Sequence, residues 1–366
     1  MENFAMKQWV ILLSALGFVW MGCGGDDGLG NDRASGDCET KILNGDYIIR
    51  TTRDVDALER AGGCSYTIAG DLEITEVSVR VLEGLEDLSA VGGDLRIYEN
   101  EELESFEGLV DLTTVGGDVY IHDNEELTSF EGMFLQAVSG DVRVYNNDQL
   151  LEVDGLSKLN TVGGDLQISN NNKLADIEGL FNLVLVAGSL RLEFNPSLEL
   201  IEDLSNLATV GGSFVVENNF ALEVIENISS LGSVGENLSI GQNATLDRVE
   251  NMLGLESLGK DLSIYSNERL TSMVGLANLQ QVGGNLNVYN NEKLTQLRGL
   301  EGLKQVGKDL NIYDNDKLST LTALDSLVNI GADFFIVDNS NLPTEEARAL
   351  ADKVATGMIS IIDNRN

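Results

Sequence analysis

Histidine occurs once in the 366 residues, cysteine three times and proline twice, and Lys plus Arg reach only 23 against 60 Asp plus Glu. Each scarcity removes a class of function. A single imidazole leaves most His-dependent metal and acid/base chemistry without its groups. A formal charge of −37 excludes nucleic acid or an anionic membrane surface as the main partner. The cysteines show no C-x-x-C spacing, and no G-x-S-x-G, H-E-x-x-H or P-loop string occurs, so no metal or cofactor is expected. Hydrophobic residues make up 43% of the chain, enough for a large core, and 39 glycines stand beside the two prolines.

Residues 1–22 hold Lys7 and an apolar run over 9–21, followed by Cys23. The run is short for a membrane span and reads as an export signal. Gly22-Cys23, a small residue before Cys, resembles the lipobox of bacterial lipoproteins, which implies that Cys23 carries lipid; ordinary secretion is the alternative. Residues 23–37 are rich in Gly and Asp and read as a flexible tether. The expected location is therefore a bacterial outer membrane or cell surface, with the membrane reached through the lipid only. Cys38 and Cys64 then remain as an even pair, which favours a disulfide in an exported chain, the alternative being two buried thiols.

From residue 70 onward one phrase recurs. GDLRIYEN starts at Gly93, GDVYIHDN at Gly117, GDVRVYNN at Gly140 and KDLNIYDN at Lys308, with twelve copies 23 or 24 residues apart over 70–342. Such a period identifies a solenoid rather than separate globular domains. Leu95 and Ile97, like Val119 and Ile121, alternate with other residues, so one strand per coil points two apolar side chains inward and the coils stack into a parallel sheet. Asn100, Asn124, Asn147 and their successors to Asn339 are expected to form a ladder inside the corner after the strand. Leu103 and its equivalents close the core at the next corner. Phe106, Leu109, Leu112 and Val115, three residues apart, line a turn-like return path. Gly-Gly pairs such as Gly92-Gly93 and Gly116-Gly117 bring the chain back to the next strand, where small size and free φ are expected to matter.

The core L-x-I-x-x-N-x-x-L resembles leucine-rich repeats, and the longer phrase G-L-x-x-L-x-x-V-G-G-D-L-x-I is more similar to the receptor L-domain family. The resemblance covers roughly 38–366. It implies a right-handed, parallel β-helix-like solenoid of about twelve 24-residue coils, with a disulfide-closed N-terminal cap over 38–69 containing Cys38 and Cys64. A C-terminal cap over 343–366 is expected to hold a short helix, with Thr344 as N-cap and Glu345 and Glu346 in its first turn, and a final strand over 358–362. Receptor L domains occur in pairs with cysteine-rich modules and a membrane-spanning helix. Here the array runs uninterrupted, so no transmembrane signalling role is carried over.

Outward strand positions form ladders across the sheet. One patch combines Arg96, Tyr98, Tyr120, His122, Arg143, Tyr145 and Arg191, and a second is Tyr265, Tyr289 and Tyr313 among Ser and Asn. Aromatic rings beside Arg and Asn suit stacking on sugar rings or docking a protein, while the bland reading is that Tyr favours strands and cross-strand stacking. His122 is expected to be at most a pH-sensitive contact. The corner carboxylates, among them Glu99, Glu101, Glu102, Asp123, Glu125 and Glu126, read as a solvated rim rather than a calcium site. The expected function is a non-catalytic binding or adhesion module for a protein or glycan, with a purely structural envelope lipoprotein as the alternative. An enzyme acting on polysaccharide ranks last, because Arg143 and Arg191 flanking Gln167 are its only candidates and no paired outward carboxylates lie beside them.

Overall fold

The computed structural model describes residues 38–365; the signal segment, Cys23 and tether expected over 1–37 lie outside the described residues. Every repeat is one coil whose strand follows the L-x-I alternation. Leu95 and Ile97 are fully buried while Arg96 and Tyr98 face outward, half-buried. Twelve such strands, with Tyr47–Ile49 before them and Ile359–Ile362 after, pair in one 14-stranded sheet, all parallel. Register is strict, so like positions stack: Arg96 pairs with Tyr120, and Tyr98 with His122.

The expectation of one strand per coil was incomplete. A second, two-residue strand such as Thr114–Val115 or Thr161–Val162 recurs on the return path and builds a parallel sheet of 13 strands. On the third side three coils add a small sheet, Leu200–Ile201, Val224–Ile225 and Arg248–Val249, and four others make 3₁₀ turns such as Asp154–Leu156. The three-residue apolar spacing explains this. Phe106, Leu109, Leu112 and Val115 are all buried, so the path bends at each and leaves extended dipeptides between bends. These dipeptides hydrogen-bond to the coil below, as where the Gly116 N–H donates to the Val91 carbonyl at 2.8 Å.

The asparagine ladder forms as expected and extends to Asn364. In the middle of it, Asn195 Oδ1 accepts the Asn171 N–H at 3.1 Å, and Asn195 Nδ2 donates to the Ile168 carbonyl at 2.9 Å. Each buried amide thereby satisfies backbone groups that leave the sheet at the corner.

The Gly-Gly pairs do not use free φ. The recurrent positive φ falls elsewhere, on the residue just before each ladder asparagine: Glu99, Asp123, Asn146 and their equivalents, at 51° to 59°. What the pairs need is the absence of Cβ, since one on Gly116 would lie 2.2 Å from the Gly92 carbonyl oxygen and one on Gly117 2.1 Å from Asp94 Oδ1.

Both ends are closed by caps. At the first, helix α1 (Thr52–Gly62) packs beside the Cys38–Cys64 disulfide, whose Cα atoms are 6.2 Å apart. The Thr51 N–H and hydroxyl both donate to Asp54 at 2.8 Å, fixing the helix start and holding that carboxyl below its ordinary range. At the other end helix α2 (Thr344–Val354) begins one residue differently from expectation: Pro343 takes the cap position and Thr344 is already helical. The Thr344 N–H is engaged by the Arg365 carbonyl at 2.7 Å, in a bridge between the chain entering α2 and the chain leaving the last strand. Glu346 in the first turn accepts from the Thr320 hydroxyl and the Leu321 N–H, both at 2.9 Å. The final strand begins at Ile359 rather than 358, because the Met358 N–H donates to Asp333 Oδ1. Among the described residues no helix is long and apolar enough to cross a membrane.

Candidate binding face

The outward face of the 14-stranded sheet carries the residues singled out from the sequence. Strict register turns two stretches of one row of that face into columns of rings. Tyr98, His122 and Tyr145 stack with centroids 5.2 and 4.6 Å apart and planes within 11°. Beside them Tyr120 lies between the guanidinium groups of Arg96 and Arg143, at 5.9 and 5.4 Å from its centroid. Six of the seven residues of the first patch are thus one cluster. Arg191 is not part of it, because Gln167 separates it from Arg143 in the register and it leans on Glu193 at 3.9 Å. The second patch forms a column of its own: Tyr265, Tyr289 and Tyr313 stack at 5.0 and 4.6 Å with planes within 15°. Asn311 donates to Asn287, and Asn287 to Ser263, in the adjoining row.

This geometry decides what the rings can offer. Their planes lie parallel to the coils, so His122 and Tyr289 have a ring against each face, and Tyr120 has a guanidinium near each. The end of the second column is closed as well, since a Cβ on Gly241 would sit 2.3 Å from the Tyr265 ring. The columns show solvent their edges and hydroxyls rather than open faces. A sugar ring stacks face to face and finds few places here, whereas a protein surface meets ring edges and polar tips readily.

The charges of the first patch are matched internally. Arg96 donates to Asp71 at 3.0 Å and to Asp94, and Arg143 donates to Asp141 at 2.6 Å and to the Tyr120 hydroxyl at 2.9 Å. The Tyr98 hydroxyl donates to Glu73 at 2.7 Å, the main reason this phenol is pushed above its usual range. His122 Nδ1 lies 2.8 Å from Asp123. Asp71, Asp94 and Asp141 belong to a second ladder that sequence reasoning missed. Asp71 Oδ1 accepts the Asp94 N–H at 2.8 Å, Asp94 Oδ1 accepts that of Asp118 at 2.8 Å, and the series continues through Asp141 and Asp165 to Ser189. Its signal was the D of each G-D-L phrase, polar in every coil although it borders the core. One oxygen is fixed on the backbone, which for Asp71 is the main cause of a lowered carboxyl pKa, while the other is left to hold an arginine.

Midway between the columns the face changes character. Glu193 and Glu217 are directly opposite in register, and Phe194 and Phe220 are exposed by 48% and 53%. Phe194 sits at φ 56°, where most other coils carry Asp, Asn or Glu. Burial, reinforced by Glu217 and partly offset by Arg191, raises the Glu193 carboxyl above its ordinary value of 4.5. Ionised Glu193 is therefore costly in the folded state; the cost is full above its folded pKa and is gone below 4.5. Glu193→Gln is expected to stabilise the fold at pH 7 by ~0.2–1 kcal/mol, the range for a relieved cross-strand pair. Thermal melts across a pH series should show the gain closing in acid. A loss at pH 7 would mean that the contact with Arg191 outweighs the repulsion.

The acidic corner opens into a polar groove of about 590 Å³ lined by Asp123, Glu125, Glu126 and Asp148 with neighbouring amides. Among the described residues no three His, Cys, Asp or Glu side chains are grouped closely enough to hold a metal ion. Compared with known proteins, the chain matches no protein-family model and no curated protein.

Proposed function

We propose that this chain is an exported, non-catalytic binding protein of the cell envelope, held by a lipid at Cys23, whose 14-stranded sheet docks a protein partner. The fold type we assign is the leucine-rich, receptor L-domain-like solenoid, on the strength of the L-x-I-x-x-N-x-x-L coil. The observation that carries the docking is the pair of ring columns on one face of the 14-stranded sheet. Tyr98, His122 and Tyr145 form one and Tyr265, Tyr289 and Tyr313 the other, five coils along and about 24 Å away at the usual strand spacing. Rigid aromatic edges flanked by paired charges are the composition of a protein-docking hot spot, and the side-on stacking favours protein over glycan.

The test is a screen of the chain, with Cys23 replaced by Ser, against a glycan array and against cell-envelope extracts. Saturable capture of one protein with a silent array is the expected result. A saturable glycan signal would overturn the preference for protein, and silence on both would leave the chain a structural envelope component.

A further inference from the structure

The outward face of the 13-stranded sheet carries almost no charge. In each coil it presents the residue before the short strand, the first strand residue, and the residue after the inward apolar one, as with Gln280, Gln281 and Gly283. Between residues 113 and 331 these three rows hold two charged side chains, Glu256 and Lys304. Coil geometry does not demand this, because outward positions of the other sheet carry Arg96, Arg143, Arg191, Glu193 and Glu217. In a molecule of net charge −37 two copies repel wherever their carboxylates meet. A foreign partner gains little from so neutral a surface. Self-association needs charge removed from both sides of a contact, and here both sides are one surface.

The exceptions obey a symmetry. Glu256 and Lys304 lie one coil to either side of Gln280, at the same place in the coil: the Gln280 N–H donates to the Glu256 carbonyl and the Lys304 N–H to the Gln280 carbonyl, each at 2.8 Å. Among the described residues neither has an ion-pair partner, and Lys304 Nζ leans toward Gln280, donating to its Oε1 at 2.8 Å. Two coils to either side are Val328, 65% exposed, and Gly232, where an added Cβ would find its nearest neighbour only at 3.8 Å. We infer that this face joins two copies of the chain about a twofold axis lying between the sheets, along the strands of the Gln280 coil. That axis sets Glu256 of each copy against Lys304 of the other, and Val328 over Gly232, each contact made twice. The overlap spans five coils, about 24 Å at the usual strand spacing, so the dimer is weak and depends on concentration.

Facing sheets pack about 10 Å apart, beyond the reach of a disulfide, so the test joins thiols with a short bismaleimide. Gln280→Cys in the full chain places a thiol next to its own copy and is expected to give a covalent dimer whose yield rises with concentration. Thr161→Cys, on the same face but outside the overlap, should give no more dimer than the unsubstituted chain, which also accounts for Cys23. In the Gln280→Cys background, Glu256→Lys or Lys304→Glu alone is expected to weaken dimerisation about tenfold, and the two together to restore it. Yields from Gln280→Cys no higher than from Thr161→Cys would overturn the inference. So would a double reversal as weak as either single one.

Discussion

Asn195→Ala is expected to lower the stability of the solenoid by about 1–3 kcal/mol, the cost of leaving a buried backbone group without its partner. The orphan is the Asn171 N–H, which donates to Asn195 Oδ1, while the Ile168 carbonyl loses its bond from Asn195 Nδ2 but keeps its place in the parallel ladder. A second amide hydrogen bond, to the Glu193 carbonyl at 3.1 Å, goes with them. Asn195 has no exposed surface, so water does not replace what is lost. The neighbouring Asn172 is the control. It is exposed and bonds sideways to Asp148 at 2.7 Å, and its replacement by Ala should change stability by less than about 0.5 kcal/mol. Urea unfolding of the two variants side by side measures the difference. Equal midpoints would show that the buried ladder is dispensable.

Gly211→Ala is the second large effect. The new Cβ would stand 2.1 Å from the Ala187 carbonyl oxygen and 3.0 Å from its carbon, so two coils must part where their backbones are hydrogen-bonded. Overpacking against backbone costs at least the ~1–3 kcal/mol of an overfilled core, since no side chain is there to swing away. Gly232 isolates the cause, one coil further along. Its φ is ordinary and its Cβ site is open, so Gly232→Ala should be neutral or stabilise by up to about 1 kcal/mol through the unfolded chain. Equal losses at both positions would mean that glycine acts in these coils through backbone conformation and not through close approach.

These two sites also mark how far the sequence was readable. Leu95, Ile97, Asn100 and Leu103 declare their roles because the first two positions stay apolar and the last two stay Asn and Leu in coil after coil, and a position so constrained within one chain meets the same neighbours every time. Periodicity gave the sheet and the ladder for that reason. It was blind to the Thr114–Val115 strand, since two extended residues have no alternation to detect. It misassigned the Gly-Gly pairs, because a need for small size and a need for positive φ leave the same letter in the sequence. The Asp71 to Asp165 ladder escaped notice because an aspartate beside glycine reads as a solvated turn until the N–H above it is seen. At Thr344 the composition of a cap was present, but tertiary pairing with Arg365 took its N–H and moved the helix start.

For the candidate face the sequence supplied the rows and the stacking supplied the meaning. Tyr98, His122 and Tyr145 were recognisable as one ladder, yet whether the rings lie flat on the sheet or stand on edge depends on χ angles that no repeat pattern encodes. Grouping by residue type placed Arg191 with Arg96 and Arg143, although the register sets it apart. The same grouping passed over Phe194 and Phe220, which appear once each rather than as a ladder.

The most direct test of the face as a docking surface is the triple variant Tyr98→Ser, Tyr120→Ser, Tyr145→Ser, measured at once for partner capture and for thermal unfolding. Cross-strand pairs of this kind contribute only about 0.2–1 kcal/mol each, and the core beneath is untouched, so the melt should shift by a few degrees at most. Loss of capture with the melt nearly preserved is the predicted result. Full capture by the variant would contradict the account and leave the first ring column as a device of the sheet alone.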